Sequence, residues 1–124
     1  MNYFKIKSFA KINLALNIIS KSLLLHEIES IVSFINLHDT ILIKKINHKN
    51  HIIKFNGLFS KNIGKKNTVS KLLDILDKKD LLGGIKFEII IKKNIPLEAG
   101  LGGGSMNAAN ILKYFLEKNI IKIS

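Results

Sequence analysis

The sequence predicts an α+β fold, and two kinds of periodicity support this. Residues 12–18 alternate between apolar and polar side chains, and residues 85–91 alternate first and then become wholly apolar, as β-strands do. Two other segments place apolar residues on one helical face. These residues are Val69, Leu72, Leu73 and Leu76 in the first segment, and Ala108, Ile111, Leu112, Phe115 and Leu116 in the second. Since no repeat or low-complexity linker separates these segments, we expect one domain.

The remaining elements follow from turn signals. Residues 20–25 are predicted to be a connection, and residues 27–46 one long or bent strand broken near 36–39. The polar turn 47–50 predicts a hairpin onto residues 52–55, and residues 57–66 are expected to be a loop. The first helix is predicted to begin at Thr68 as N-cap and to end before Gly83, and the second to run to about Lys118.

Composition excludes several classes of site and partner. With 124 residues the chain suits one domain, and without cysteine it forms no disulfide and no thiolate metal site. No stretch reaches membrane-spanning length and the start lacks a signal-peptide pattern, so we expect a cytoplasmic protein without a membrane partner. The net charge of +11 comes from lysines scattered along the chain, and we therefore do not expect a nucleic-acid partner.

A glycine-rich loop between a predicted strand and a predicted helix is the strongest functional signal. Four of the eight glycines lie within Gly100–Gly104, and Ser105 follows directly. Glycines let the backbone approach a ligand closely, and the amides and dipole of a helix N-terminus favour an anion. The loop therefore predicts a phosphate site, the alternative being a flexible turn capped by Ser105.

Two common phosphate-loop templates do not fit. A Walker A loop requires a lysine before its final serine or threonine, and Gly104 precedes Ser105 directly. A Rossmann fingerprint requires an acidic residue about twenty positions after its glycines, and this sequence does not show that arrangement.

The loop resembles the phosphate loop of the GHMP kinases. The residues that carry this resemblance are Pro96, Gly100, Leu101, Gly102, Gly103, Gly104 and Ser105, with two alanines at positions 108 and 109. The triple glycine is most similar to members that phosphorylate a cytidine-diphosphate-linked methylerythritol on its 2-hydroxyl in the non-mevalonate isoprenoid pathway. Ala-Lys-Ile-Asn-Leu at residues 10–14 resembles an early segment of the same enzymes.

This resemblance implies a fold like ribosomal protein S5 domain 2, and a kinase that uses ATP and Mg²⁺. The implied ATP-binding residues are the loop residues together with Asn67 and Lys93, and Ser105 is also the implied metal contact. Lys11 is the implied active-site lysine, and Asn13 and His26 the implied substrate-binding residues. Met106 replaces the second serine usual in the family, and Leu23–Leu25 replace the Asp-Gly-Tyr expected before His26.

The resemblance covers residues 1–124 as the amino-terminal, ATP-binding domain, in incomplete form. The family's catalytic aspartate and carboxy-terminal domain are not found in this sequence, so we expect the chain to be inactive alone. A complementing carboxy-terminal chain is one expected partner. The alternatives are another GHMP small-molecule kinase, a non-catalytic nucleotide-binding remnant, half of a split enzyme, and a basic RNA-binding domain of S5-like shape.

Overall fold

The computed structural model describes residues 2–10, 36–61, 63–95 and 103–121. These residues form one mixed sheet with two helices, which confirms the α+β prediction. The elements in chain order are β1 (Phe4–Phe9), β2 (His38–Ile46), β3 (Ile52–Asn56), α1 (Thr68–Lys78), β4 (Lys86–Lys92) and α2 (Gly103–Glu117).

The sheet has the strand order β1-β2-β4-β3. β2 pairs antiparallel with both β1 and β4, whereas β3 pairs parallel with β4. β1, β3 and β4 therefore run in the same direction. Their carboxyl ends meet at one edge of the sheet, which we call the carboxyl edge.

One face of the sheet carries the core. Alternate residues of the two central strands are fully buried there, and the apolar faces of both helices pack over them. The Phe87 ring of β4 lies 4.9 Å from the Phe115 ring of α2, centroid to centroid. The predicted strand at 85–91 and both predicted helical faces are thus confirmed.

The predicted hairpin between β2 and β3 is wrong. Residues 47–50 do form a turn, but β3 pairs with β4 and reaches it through α1. The reason is that both edges of β2 are already occupied, one by β1 and the other by β4. A parallel neighbour needs a crossover connection, and α1 supplies it.

Two further differences concern β1 and the start of β2. β1 was not anticipated, because Phe4–Phe9 does not alternate cleanly between apolar and polar residues. A break within a longer strand was predicted near 36–39. In the structure β2 begins there, at His38. The predicted strand at 12–18, the connection at 20–25 and the segment 27–35 lie outside the described residues.

The N-cap of α1 is Asn67 and not the predicted Thr68. The Asn67 side chain accepts a hydrogen bond from the Ser70 amide at 2.9 Å, and the Ser70 hydroxyl accepts one from the Asn67 amide at 2.9 Å. This reciprocal capping box satisfies two amides at the start of the helix. It fixes where α1 begins, next to the carboxyl edge.

The opposite face of the sheet carries a partly exposed charged group, which we call the Glu88 cluster. Glu88 accepts a hydrogen bond from the Tyr3 hydroxyl at 2.6 Å and lies 3.5 Å from Lys44 Nζ and 3.4 Å from Lys54 Nζ. The Tyr3 hydrogen bond, helped by Lys54, holds the pKa of Glu88 below 4.5. The pKa of Lys44 is raised, chiefly by Tyr3 and also by Glu88.

Within the described ranges, no helix combines the length and the apolar character needed to cross a membrane.

Candidate functional site

Several chain segments meet at the carboxyl edge of the sheet. Ala10 leaves β1 there, where its amide donates to the Leu37 carbonyl oxygen at 3.0 Å. Ile95 leaves β4 at the same edge and is fully buried. The segment that begins with Lys11 and the segment that leads into the glycine loop therefore both start from this edge.

The first turn of α2 packs closely on its neighbours at this edge. The Thr68 hydroxyl, at the start of α1, donates a hydrogen bond to the Gly104 carbonyl oxygen at 2.8 Å. A Cβ atom on Gly104 would lie 3.1 Å from that hydroxyl, and one on Gly103 would lie 3.2 Å from Cγ2 of Ile95. Two glycines in succession thus allow the amino-terminal ends of α1 and α2 to meet.

A fully buried polar group lies beneath this turn. The Lys93 ammonium donates to Oδ2 of Asp39 at 2.5 Å and to Oδ1 of Asn107 at 2.9 Å. It lies 3.4 Å from where a Cβ atom on Gly103 would be. Since Asp39 is in β2, Lys93 directly follows β4 and Asn107 is in α2, this contact joins two strands to the helix. We call Lys93, Asp39, Asn107 and Ser8 the buried cluster.

The buried cluster is satisfied by hydrogen bonds on every side. Oδ1 of Asp39 accepts from the Asn94 amide at 2.6 Å and the Ile95 amide at 2.9 Å. The Asn107 amide group donates to Asp39 at 3.1 Å and to the Ser8 hydroxyl at 2.9 Å. Among the described residues, no buried side-chain nitrogen or oxygen lacks a partner. Such satisfaction is what makes a buried charge pair tolerable.

The main chain of Lys93 is also fixed. Its amide donates to the Asn56 carbonyl oxygen at 2.7 Å, and its carbonyl oxygen accepts from the Phe59 amide at 3.2 Å. Gly57 has a φ of +95°, and a Cβ atom on it would lie 2.7 Å from the Lys93 carbonyl oxygen. Only glycine combines that φ with so close an approach.

Five of the predicted site residues lie in the described part of the chain. Gly103 and Gly104 form the first turn of α2, and Ser105 follows within the same helix with an exposed side chain. Ser105 is therefore not the residue before the helix, as the N-cap alternative required. Asn67 caps α1, and Lys93 belongs to the buried cluster.

Lys93 is buried in this structure, and its predicted contact with a nucleotide base stays a prediction. Its ammonium faces Asp39 and Asn107 inside the protein and is not directed to a surface. The other predicted site residues lie outside the described residues; they are Lys11, Asn13, His26, Pro96, Gly100, Leu101 and Gly102.

Sequence reasoning missed the partners of Lys93. Asp39 was expected in a turn but lies in β2, on the same inward face as Ile41 and Ile43. Lys93 likewise continues the inward series of β4, in phase with Ile89 and Ile91. A charged residue in phase with a buried apolar series was the available signal. Asn107 and Ser8 carried no such signal.

A second ionic contact lies at the other end of β4. Asp77 of α1 contacts His51 Nε2 at 3.0 Å and Lys86 Nζ at 3.2 Å, and His51 Nδ1 accepts from the Phe87 amide at 3.0 Å. His51 thus contacts a carboxylate that lies 26 positions away in the sequence. Within the residues described, no three histidine or acidic side chains gather as a metal would require.

The carboxyl edge has the geometry of an anion site. The first amides of an α-helix have no partner within the helix, and the helix dipole makes that end positive. At this edge the amino-terminal ends of two helices meet. The Lys93 ammonium beneath α2 is paired with the Asp39 carboxylate, so the helix ends and not this lysine supply the positive potential. The arrangement favours a phosphate group over a neutral ligand.

Comparison with known proteins agrees with this geometry. The profile of the family described as "GHMP kinases N terminal domain" matches residues 67–123. The resemblance to the GHMP kinases is confirmed. The matched residues include α1, β4 and α2, which meet at the carboxyl edge.

Relatives are similar over nearly the whole chain. A 4-diphosphocytidyl-2-C-methyl-D-erythritol kinase of Pelagibacter ubique is 63% identical over 99% of this chain, which spans 44% of that relative. Kinases with the same name from Thermosipho africanus and Caldicellulosiruptor bescii are 40% and 41% identical over 91% and 88% of the chain, which spans 39% and 38% of their lengths.

A solved structure shares the fold. The crystal structure of a 4-(cytidine 5'-diphospho)-2C-methyl-D-erythritol kinase matches with a TM-score of 0.52 and 23% identity, covering 72% of this chain and 30% of that chain. The chain spans 38–44% of the length of the three curated relatives named above.

Proposed function

We propose that this chain is the ATP-binding, amino-terminal part of a kinase that transfers the γ-phosphoryl group of ATP to the 2-hydroxyl of a cytidine-diphosphate-linked methylerythritol. The names of its relatives support the reaction and the substrate. The observation that carries the proposal is the first turn of α2, which seats Gly103 and Gly104 directly on Thr68, Ile95 and Lys93.

The glycine loop binds the triphosphate in this proposal. Gly100–Ser105 and Pro96 surround the phosphates, and main-chain amides act as the donors. The exposed Ser105 hydroxyl would help hold Mg²⁺, which would offset the negative charge of the phosphates. Asn67 precedes Thr68, whose hydroxyl bonds the Gly104 carbonyl oxygen, and in this proposal Asn67 borders the nucleotide.

Lys11 and Asn13 act on the acceptor side. Lys11 follows Ala10 at the carboxyl edge and stabilises the charge on the transferred phosphoryl group, while Asn13 and His26 bind the substrate. Transfer forms a bond from the 2-hydroxyl oxygen to phosphorus and releases ADP, and the hydroxyl proton passes to a base. Asp39 is not that base, because both its oxygens are occupied inside the buried cluster.

Turnover therefore requires groups beyond those described. We propose that residues 1–124 form the amino-terminal domain, that a carboxy-terminal portion or a complementing chain supplies the base and the rest of the cleft, and that the enzyme is cytoplasmic. By themselves the 124 residues bind nucleotide and turn over poorly.

Nucleotide titration of the ¹⁵N-labelled chain tests the proposal. We expect ATP and ADP with Mg²⁺ to shift the amide resonances of residues 100–105, and adenosine to leave them in place. Gly103→Ala should weaken ATP binding about tenfold, because its Cβ would lie 3.2 Å from Cγ2 of the fully buried Ile95, so that this side chain or the first turn of α2 must shift by a few tenths of an ångström.

Gly64→Ala is the matched control, since a Cβ atom there meets nothing closer than 4.0 Å. It should keep the affinity of the unaltered chain. Absence of any shift at residues 100–105 at millimolar ATP would refute the proposed function.

A further inference from the structure

We propose that Lys93, Asp39 and Asn107 are positioning residues, which fix the first turns of α2 over the carboxyl edge and thereby set the affinity of the helix end for nucleotide phosphate. The statement about phosphate rests on the proposed function. The statement that the cluster holds α2 in place does not.

The cluster lies where the strands end at the carboxyl edge. Asp39 is paired in register with Ser8 of the neighbouring strand, and Lys93 follows the Thr40–Lys92 pair by one residue. Three polar side chains therefore stand side by side on β1, β2 and the end of β4, on the inward face. They occupy the last level of the sheet before the chain leaves it.

The α2 helix covers this row of polar side chains. Asn107 reaches down from α2 and bonds all three members, through Lys93 at 2.9 Å, Asp39 at 3.1 Å and Ser8 at 2.9 Å. One turn later Asn110 bonds the Ser8 hydroxyl at 3.1 Å. The start of α2 is thus fixed by directional polar bonds, whereas its later turns pack through Ile111 and Phe115 in the apolar core.

Asp39 also fixes the main chain where it leaves β4. Its Oδ1 atom accepts the amides of Asn94 and Ile95, the two residues that follow Lys93. One carboxylate therefore fixes the end of β4, the lysine and the helix together. Apolar packing is non-directional and tolerates small sliding, but a charge-assisted network of this kind specifies one position.

The test compares two ion-pair replacements. Asp39→Asn with Lys93→Met removes both buried charges while keeping an acceptor for the two amides. Asp77→Asn with Lys86→Met is the matched control, because it removes a lysine–aspartate pair at the opposite end of β4. Hydrogen exchange of nucleotide-free protein and the Kd for MgATP are measured for both.

We expect the Asp39/Lys93 double variant to exchange the amides of residues 107–111 at least tenfold faster than the unaltered chain, after correction for global stability. The exchange rates of the core amides in β2 and β4 should change only as much as the global stability changes. The Kd for MgATP should rise at least tenfold, and the control pair should leave both quantities within about twofold.

Asn107→Ala provides a second variant that keeps both charges, in case the double variant does not fold, and it should give the same pattern. If the start of α2 exchanges no faster than the core, or if the Kd is unchanged in a folded variant, the positioning role is refuted. If the unaltered chain does not bind MgATP at all, the proposed function fails, and hydrogen exchange alone then supports or overturns the fixing of α2.

Discussion

The buried cluster and the Glu88 cluster use the same chemistry on opposite faces of one sheet. In the first, the Lys93 and Asp39 side chains are 2% and 0% exposed and lie 2.5 Å apart. In the second, Lys44 and Lys54 are 26% and 62% exposed and lie 3.5 and 3.4 Å from Glu88, which is 12% exposed. Each brings lysine to a carboxylate between strands.

The two clusters differ in how far their charges are exposed to water, and this changes the role of each charge pair. On the outer face water and salt screen the charges, so each contact adds little and constrains little. Inside, the cost of desolvation is large, and the pair persists only because hydrogen bonds from the backbone and Asn107 complete it. The Lys93–Asp39 pair therefore specifies how the strands and α2 are positioned, whereas the Glu88 cluster mainly contributes surface charge.

The largest expected effect comes from breaking the buried pair on one side. Asp39→Asn leaves the Lys93 ammonium buried without a counter-charge, which typically costs about 3–5 kcal/mol. We expect the free energy of unfolding in urea to fall by that amount, or the variant to be unfolded at 25 °C.

Glu88→Gln is the matched comparison, because it makes the same carboxylate-to-amide change in the Glu88 cluster. Its effect on the urea midpoint at pH 7 should be much smaller. Equal losses of stability for the two variants would contradict the distinction between the clusters.

A smaller effect is expected at the capping box of α1, beside the buried cluster. Asn67→Ala removes the acceptor for the Ser70 amide and the donor to the Gly64 carbonyl oxygen. The expected loss is about 1 kcal/mol, a usual value for an N-cap. Urea unfolding measures it, and Asn67→Ser should restore most of it; a loss retained by the serine variant would assign the effect to something other than capping.

The smallest expected effect is the pH dependence of the Glu88 cluster. Because the pKa of Glu88 is lowered from 4.5 in the folded chain, its ionised form adds stability above pH 4.5. That contribution is lost as the pH falls through the folded-state value. The stability difference between the unaltered chain and Glu88→Gln should therefore shrink as the pH falls below 4.5.

Urea unfolding of both proteins at pH 7, 5, 4 and 3 measures this difference. A difference that stays constant or grows on acidification would show that the carboxylate is not stabilised by its neighbours.

Local periodicity predicted the elements that bury a regular face. α1, β4 and α2 were all anticipated, because each repeats apolar residues at its own period. β1 was not, since its residues are mostly exposed and its pattern is weak. The pairing of β3 was mispredicted because nearness in sequence favoured β2, whereas the free edge belonged to β4.

The candidate site divides in the same way. The glycine loop was visible as a local motif, and Gly103 and Gly104 do lie at the start of a helix. The partners of Lys93 come from residues 54 and 14 positions away in the sequence, and no local pattern relates them. Asp39 was visible only as a charge within an apolar series.

The amino-acid sequence by itself determined the helical faces, the central strand and the position of the glycines, because these depend on side-chain period and backbone freedom within a few residues. Only the tertiary structure decided which strand lies beside β4 and what surrounds the Lys93 ammonium. Both depend on which edges and polar groups remain unpaired after distant segments have packed together. A buried lysine must find its partners across the fold, since the energetic cost of leaving it without them is too large.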